Sequence, residues 1–427
     1  MDTTRRTILR GMAAAPLVAT AGGLLVPATA RAAAAAELPG VRLWIRSGSV
    51  PEGGGTSYPD AIKGLGDVEK LPHAPISRVM GDLNRDGTYR RRPDWPRQNS
   101  PAVARAFTWR HDDFITRDWR PQGITTDYDG HGTGGNVVLV SWYTMKKAAH
   151  QAARISFVDV SGSSRPKYRH VLLVEPYRTE GGRYSFRPVT VHVGGIAWYK
   201  ERLYVVDTYR GLRVFNLDQM FQVATGGPAT DHCGLHTDNR YYGYGCKYVL
   251  PQSRGYDDIE PEIDRMRYSQ VSVDRTTKPY DTLLVSEFVD KKAASPEARA
   301  VRFEVEPDYG ALRHVDPATQ SVLSQKTYRI TNGKQIQGAA SVNETFYVSR
   351  SDGPSVYGYL ATGRAAATDL TVRTSGRVVR GPEDLSYAQT GGRRLLWSLG
   401  EYAIDDQDRG TRPRSPYNSR YVYAIRL

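Results

Sequence analysis

The chain has 427 residues, a formal net charge of +13, and 41 glycines, 27 tyrosines and 25 prolines, a composition that favours strands and turns over helices. No stretch beyond the N-terminal region is apolar enough to span a bilayer, and no basic helix of the kind that reads nucleic acid is present, so both classes are excluded. The positive charge favours anionic partners such as acidic polysaccharides, although solubility alone accounts for it equally well.

The N-terminus predicts an export signal over residues 1–36. Arg5 and Arg6 precede an apolar stretch from Met12 to Val26, and a run of small residues follows at 28–32. A basic start, a short apolar core and an A-x-A site are typical of a cleaved secretory leader. The adjacent arginines resemble the twin-arginine (Tat) type, with a plain Sec leader as the alternative. We therefore expect a secreted, extracellular protein.

Residues 37–103 are rich in Gly, Pro and Arg and show little periodicity, so we expect a partly irregular N-terminal extension. Within it, Asp82, Asn84 and Asp86 match the first half of a D-x-N-x-D-G calcium loop. The twelfth position is Pro93 instead of a bidentate acid. Calcium is thus one interpretation of this loop, and an ordinary surface turn is the other.

Residues 104–427 contain five segments that share one order of elements, which predicts an internal repeat. Each segment has a polar or small opening residue, an apolar strand, a second apolar strand with a polar or aromatic end, and a third, alternating strand. The openings lie at Gln122, Gly194, Gln270, Gln337 and Glu383. Fourth strands are expected after the first four segments, at residues 170–174, 247–250, 326–330 and 377–380.

The fifth segment ends at Leu427 without a fourth strand, and a suitable strand lies before the first segment at residues 106–109. Pairing these two would close a ring and remove a free sheet edge. We therefore predict an all-β fold, a five-bladed β-propeller over residues 104–427 that is closed by an N-terminal strand. A β-sandwich or another double-sheet fold is the alternative.

The two cysteines, Cys233 and Cys246, lie 13 residues apart in a loop that also contains His232 and His236. In an exported protein this spacing favours a disulfide that staples a hairpin. A zinc site that includes the two histidines is the alternative.

The propeller geometry predicts where a functional site lies. Successive strands of a blade are antiparallel, so the start of each first strand and the end of each second strand meet at one mouth of the central channel. We take Asp207, Glu383 and His192 as candidate catalytic residues. The candidate ligand-binding residues at this mouth are Gln122, Trp142, Tyr143, Tyr209, Gln270, Glu287, Gln337, Arg350, Asp384, Glu401 and Tyr402.

Carboxylates, amides and aromatic rings in one concave place are what a carbohydrate site requires. Pairs such as Asp207 with Glu383, or Glu287 with Glu401, suit the acid and base of a glycoside hydrolase. Alternatively, His192 or Tyr209 abstracts a proton beside a uronate in a polysaccharide lyase, with Arg350 on the uronate carboxylate. The competing hypothesis is a non-catalytic lectin or scaffold. We expect a monomer whose partner is a polysaccharide or oligosaccharide.

Four stretches resemble a family of secreted actinobacterial β-propeller proteins: residues 119–124, 140–143, 168–174 and 192–215. The most specific part is the segment from His192 to Trp198, which reads H-x-G-G-I-A-W. This resemblance covers residues 105–427 and implies a propeller fold and an extracellular location. It implies no particular activity.

Overall fold

A computed structural model describes residues 38–48, 55–145, 148–261, 265–295, 297–403 and 419–427. The predicted leader over residues 1–36 lies outside these ranges. Within them the protein is all-β, as the sequence predicts. None of the described helices has the length and hydropathy that a membrane span requires.

The segment before residue 104 is more regular than the sequence predicts. Its longest helix, Tyr58–Asp67, begins after Ser57, whose hydroxyl accepts a hydrogen bond from the backbone N–H of Asp60. This helix buries Leu65. A capping serine and a proline in the first turn start such a helix without a long apolar periodicity. The elements up to the first repeat are β1 (Arg42–Arg46), α1 (Tyr58–Asp67), α2 (Ile76–Met80), β2 (Arg85–Asp86), β3 (Thr88–Tyr89), β4 (Val103–Thr108) and α3 (His111–Ile115).

The rest of the chain is built mainly from strands and short connections. In chain order, these elements are β5 (Trp119–Thr126), α4 (Asp127–His131), β6 (Val137–Thr144), β7 (Ala153–Asp159), β8 (Lys167–Arg178), β9 (Tyr184–Pro188), β10 (Ile196–Tyr199), β11 (Arg202–Asp207), β12 (Gly211–Asn216), β13 (Phe221–Gln222), a 3-10 turn (Pro228–Thr230), β14 (Cys233–Leu235), β15 (Tyr241–Gly243), β16 (Tyr248–Asp257), β17 (Tyr268–Asp274), β18 (Thr282–Glu287), β19 (Ala298–Glu304), β20 (Val315–Asp316), β21 (Ser321–Leu323), β22 (Lys326–Thr331), β23 (Ile336–Val342), β24 (Thr345–Arg350), β25 (Tyr359–Ala366), β26 (Asp369–Arg377), β27 (Pro382–Thr390), β28 (Arg393–Gly400) and β29 (Tyr421–Arg426).

Five runs of four antiparallel strands organise this region. We call them sheet 1 (β5-β6-β7-β8), sheet 2 (β10-β11-β12-β16), sheet 3 (β17-β18-β19-β22), sheet 4 (β23-β24-β25-β26) and sheet 5 (β27-β28-β29-β4). The pairing of β29 with β4 confirms the predicted use of the strand near residue 106 to complete the fifth segment. Sheets 1 and 2 also join through a parallel pairing of their outer strands β8 and β16, and sheets 3 and 4 join in the same way through β22 and β26.

Each sheet packs against the next through its own apolar cluster. Phe157 and Leu203 belong to the cluster between sheets 1 and 2. Corresponding clusters lie between sheets 2 and 3, 3 and 4, and 4 and 5. Trp142 and Trp397 pack in a further cluster between sheets 5 and 1. Each of the five sheets therefore packs against two others, and sheet 5 contacts sheet 1. Burial of these apolar faces is the main contribution to the stability of the fold.

The first strands of the five sheets approach one another closely. The Asp384 carboxylate accepts hydrogen bonds from the backbone N–H groups of Ile124 and Ile196, both at 3.0 Å, which links the first strands of sheets 5, 1 and 2. The Ser269 hydroxyl donates to the Ile336 carbonyl at 3.0 Å, which links sheets 3 and 4. At Gly195 a side chain has no room, because a Cβ atom would lie 2.5 Å from the Cα atom of Gln270.

The fourth strand of sheet 4 differs from its prediction. It is β26 (Asp369–Arg377), which precedes the expected position at residues 377–380. Strands β25 and β26 form a long hairpin in which exposed Thr and Arg residues are frequent. Because few of these positions face the core, the hairpin lacks the apolar alternation by which a strand is recognised.

The predicted disulfide is wrong for this structure, since Cys233 and Cys246 are both free thiols. In the hairpin of β14 and β15, Cys233 lies opposite Gly243, and Cys246 lies beyond the paired residues. The register therefore does not place the two cysteines as cross-strand partners. Burial raises the pKa of both thiols, which keeps them protonated and unreactive at neutral pH.

Candidate functional site

A cavity of about 530 Å³ opens where the first strands begin and the second strands end. This is the mouth that antiparallel geometry predicts from the sequence. Of the predicted site residues, the ones that line the cavity are Gln122, Tyr143, His192, Asp207, Tyr209, Gln337, Glu383 and Glu401. All three candidate catalytic residues are among them.

Bulges in the first strands aim side chains into this cavity. The pairing of the first with the second strand shifts between Pro121 and Ile124, between Tyr268 and Gln270, between Ile336 and Gly338, and between Pro382 and Leu385. The residues inside these shifts that line the cavity are Gln122, Ser269, Gln337 and Glu383. A bulge turns one extra residue out of the pleat, so four equivalent bulges bring polar side chains to one place.

The bulge in sheet 3 corrects one prediction. Ser269, and not Gln270, reaches the cavity. Gln270 is fully buried, and its side-chain amide donates to the Leu284 carbonyl at 3.3 Å. Asp384 likewise points away from the cavity and binds the backbone N–H groups of neighbouring first strands. Asp384 therefore links neighbouring sheets, whereas Gln270 bonds within sheet 3.

The predicted residue pairs at the ends of second strands divide between two faces. Neighbours in a strand point to opposite sides, and Tyr143 therefore lines the cavity while Trp142 packs in the core and donates to the Ser156 hydroxyl at 2.8 Å. In sheet 3 the cavity residue is Phe288, whereas Glu287 forms an ion pair with Arg299.

At the second-strand end of sheet 5 the cavity residue is Glu401, and in sheet 4 none of the described residues at that end lines the cavity. Arg350 does not line the cavity, and its Nε donates to the Lys334 carbonyl at 3.1 Å. Tyr402 lies behind Glu401, where the guanidinium of Arg120 is 5.4 Å from its ring centre. Neither Arg350 nor Tyr402 therefore lines the cavity.

Glu383 and Glu401 form a carboxyl pair in the cavity wall. Glu383 is 2% exposed, and it shares a hydrogen bond with Glu401. Burial, and then the nearby charge of Glu401, raise the pKa of Glu383 well above its ordinary value. Glu401 accepts a hydrogen bond from the Gln122 amide at 2.9 Å and lies 3.7 Å from the Arg120 guanidinium. Burial and the neighbouring charge therefore favour the protonated form of Glu383.

His192 lies beside this pair and stacks obliquely on Tyr143, with 4.0 Å between the ring centres. His192 is an exposed residue of the cavity lining. Desolvation lowers the pKa of His192 to about 4, and the charges of Arg267 and Arg120 add to the effect. The imidazole is consequently neutral at pH 7.

Asp207 is the third acid of the cavity. It ends β11 and forms an ion pair with Arg213, with 3.0 Å between Oδ2 and Nε. The neighbouring Tyr209 is 64% exposed and stands at the cavity rim. Asp207 therefore lines the cavity while Arg213, which is not part of the cavity lining, binds its carboxylate.

Sequence reasoning missed the two arginines that line the cavity, Arg120 and Arg267. Each lies two or three residues before a predicted opening residue, Gln122 or Gln270. Extending the argument to the residues that lead into each first strand would have found both. Gln151 and Thr190 reach the cavity from connections outside the first and second strands, and no sequence signal marks them.

The predicted calcium residues lie elsewhere, in the N-terminal segment. Asp82 forms ion pairs with Arg169 and Lys247, at 3.0 and 2.8 Å. Asp86 pairs with Arg165 at 3.3 Å, and Asn84 accepts from the Arg85 guanidinium at 3.3 Å. In the described part of the chain, no group of three or more His, Cys, Asp or Glu side chains has the arrangement of a metal site.

Comparisons with known proteins give only distant structural likenesses. No family model matches the chain, and no curated protein matches it. The RS223 β-xylosidase is 10% identical, with 73% of this chain and 93% of that chain covered and a TM-score of 0.34. The GH43_1 enzyme of Xanthomonas citri complexed with xylose is 10% identical, with 74% and 89% covered and a TM-score of 0.35.

CoXyl43, a GH43 β-xylosidase/α-arabinofuranosidase from a compost microbial metagenome, is 12% identical, with 74% of this chain and 92% of that chain covered and a TM-score of 0.35. Likenesses at this level do not establish an activity for the present chain. The functional argument therefore depends on the cavity itself.

Proposed function

We propose that this protein is a five-bladed β-propeller that binds a saccharide in its cavity and cleaves a glycosidic bond there. The five sheets are its blades. Two observations support this architecture: each sheet packs against the next through an apolar cluster, and the last cluster connects sheet 5 with sheet 1. Completion of sheet 5 by β4 gives the ring the closure that propellers use.

The observation that carries the catalytic proposal is the Glu383–Glu401 pair. A general acid must hold its proton at working pH and release it to the substrate. Burial and the adjacent Glu401 charge raise the pKa of Glu383, which meets the first requirement. Glu383 lines the cavity, and its buried Oε1 atom has no hydrogen-bond partner among the described residues.

The pair acts as one acid and not as the acid and base of a glycosidase. Those two carboxyl groups stand about 5 Å or more apart, whereas Glu383 and Glu401 are within hydrogen-bond reach. In the proposed step, Glu383 donates its proton to the glycosidic oxygen while the bond from that oxygen to C1 breaks. Water attacks C1, and Asp207 takes the proton that this water loses.

Hydrolysis fits this cavity better than β-elimination with His192 as the base. A lyase needs a base that removes a carbon-bound proton, and His192 has a pKa lowered to about 4 by desolvation. Such an imidazole is a weak base at neutral pH. Arg350, which the lyase hypothesis assigned to the uronate carboxylate, does not line the cavity. His192 serves instead as a neutral hydrogen-bonding group.

A non-catalytic lectin is the alternative, and one observation favours it. Arg213 forms an ion pair with Asp207, with 3.0 Å between Nε and Oδ2, so this carboxylate already has a partner on the side away from the cavity. A lectin would use the same aromatic rings and amides to hold the sugar without cleaving it. The two functions differ in whether products appear.

We also propose that residues 1–36 direct export and that the mature protein works outside the cell. The arginines at positions 5 and 6 and the small residues before position 32 support this.

Calcium at Asp82, Asn84 and Asp86 stays a prediction. A calcium titration followed by thermal melting tests it, and an unchanged melting temperature would remove calcium from the account.

The experiment for the catalytic proposal is a screen of neutral and acidic polysaccharides for new reducing ends and for unsaturated uronates. We expect new reducing ends from the wild-type protein and a loss of at least about 100-fold in E383Q, the scale of a lost general acid. The exposed, cavity-remote Glu180→Gln is the matched control and should retain full activity. Binding without products would establish the lectin, and unsaturated products would establish a lyase.

A further inference from the structure

Arg267 stands at the rim of the cavity with its guanidinium between two aromatic rings. The guanidinium carbon is 4.6 Å from the centre of the Phe288 ring and 5.9 Å from that of Tyr209. All three residues line the cavity, and the Arg267 side chain is exposed. Contacts of this kind hold a guanidinium in position and leave its N–H groups free to donate.

Among the described residues, Arg267 has no ion-pair partner, whereas the other arginine and Asp207 in the cavity wall are paired. Arg120 lies 3.7 Å from Glu401, and Asp207 is paired with Arg213. No carboxylate of the described residues forms an ion pair with Arg267. Arg267 therefore places a positive charge at this rim of the cavity.

We infer that Arg267 binds the carboxylate of an acidic sugar, so that the ligand of the cavity is a uronic-acid-containing glycan. A planar guanidinium donates two parallel hydrogen bonds to a carboxylate, which an ammonium group does not reproduce. The exposed ring of Tyr209 supplies a face on which the adjoining sugar ring stacks. This inference rests on the proposed saccharide-binding function, and it adds the chemical class of the ligand.

The test compares acidic glycans with their neutral counterparts. Polygalacturonate, alginate and glucuronoxylan are each prepared in native form and with the carboxyl groups reduced to alcohols. Binding to the full-length protein is measured by affinity electrophoresis and calorimetry at one ionic strength. The variants are R267Q, R267K and the control R373Q, which removes an exposed arginine remote from the cavity. Dextran sulfate serves as a non-carboxylate polyanion.

We expect the wild-type protein to prefer at least one native glycan over its reduced form by about tenfold or more, the loss typical of one charge-assisted pair. R267Q should abolish that preference and leave binding of the reduced form unchanged. R267K should restore the preference only in part, and R373Q should match the wild type.

Four results would overturn the inference. Equal binding of native and reduced glycans, with cleavage that still depends on Glu383, would leave the proposed function intact and remove the carboxylate subsite. Equal losses in R267Q and R373Q, or equal binding of dextran sulfate, would show non-specific attraction of polyanions. Failure to bind any saccharide in either form would remove the proposed function together with this inference.

Discussion

Glu383 and Glu401 face each other from two adjacent antiparallel strands. Pro382, which precedes Glu383, pairs with Gly400, which precedes Glu401. The two carboxyl groups therefore emerge at the same end of sheet 5, and the bulge that follows Pro382 turns Glu383 into the cavity. A hydrogen bond joins them, and their mutual repulsion when both are charged keeps one protonated.

Replacing the two neighbours of Glu383 should move its pKa in opposite directions. The Glu401 charge raises the pKa of Glu383, and the Arg120 charge lowers it. Activity that needs protonated Glu383 falls as the pH rises through that pKa. We expect E401Q to shift this alkaline limb to lower pH and R120Q to shift it to higher pH. Rates of reducing-end release across pH 4–10 measure these shifts. A shift of the alkaline limb in the same direction in both variants would contradict the assignment of Glu383 as the acid.

E383Q should change how stability depends on pH. Because the folded-state pKa of Glu383 is raised, the unfolded chain releases this proton first, above its ordinary pKa of about 4.3. The free energy of unfolding then falls as the pH rises, by about 1.4 kcal/mol per pH unit, until the folded-state pKa is reached. E383Q has no titratable carboxyl group at this position, so its free energy of unfolding does not show this fall.

Denaturant unfolding at pH 4 and pH 7.5 measures the effect. We expect E383Q to gain stability over the wild type on going from the lower to the higher pH, while E180Q follows the wild type at both. A gain of the same size at both pH values would show that the substitution acts through packing and not through the proton.

Gly195 should tolerate no side chain, because a Cβ atom there would meet the Cα atom of Gln270 at 2.5 Å. We expect G195A to lose about 1–3 kcal/mol of unfolding free energy, the usual cost of overpacking. Gly226 has open space around the same position, so G226A is the control and should change stability little. Thermal and denaturant melts compare the two. Equal stability of both variants would mean that sheets 2 and 3 are not held this tightly.

Asp113 should be among the more costly polar residues to replace. It is buried and binds the His170 ring at 3.0 Å, the Tyr168 hydroxyl at 2.7 Å and the Arg154 guanidinium at 3.0 Å. Burial opposes its ionisation, but His170 and Arg154 hold the pKa of Asp113 below its usual value. We expect D113N to lose about 3–5 kcal/mol, because it leaves a buried arginine without its partner.

The adjacent Asp112 supplies the control for this substitution. It forms an exposed ion pair with Arg110, and pairs of this kind contribute about 0–1 kcal/mol. D112N should therefore unfold nearly as the wild type does. Because the pKa of Asp113 is lowered, the stabilisation that D113N removes is present above pH 4 and fades as the pH falls further. A constant difference between wild type and D113N from pH 7 to pH 2 would contradict this account.

Local patterns were sufficient to locate much of the candidate site. Gln122, Gln337 and Glu383 follow from the opening of each first strand, and Tyr143 and Asp207 follow from the ends of second strands. Strand alternation and antiparallel order are short-range properties, so a sequence displays them directly. The same reasoning failed for Gln270, since it does not locate a bulge to within one residue.

The sequence by itself determined the all-β class, the order of the strands and the end of the sheets at which polar side chains collect, because these depend on the spacing of apolar and polar residues along the chain. Only the tertiary structure decided that Glu383 pairs with Glu401, that Arg213 pairs with Asp207, and that Arg267 stands at the cavity rim against Phe288. Charge pairing and burial depend on side chains brought together from distant parts of the chain, and neither is written in local spacing.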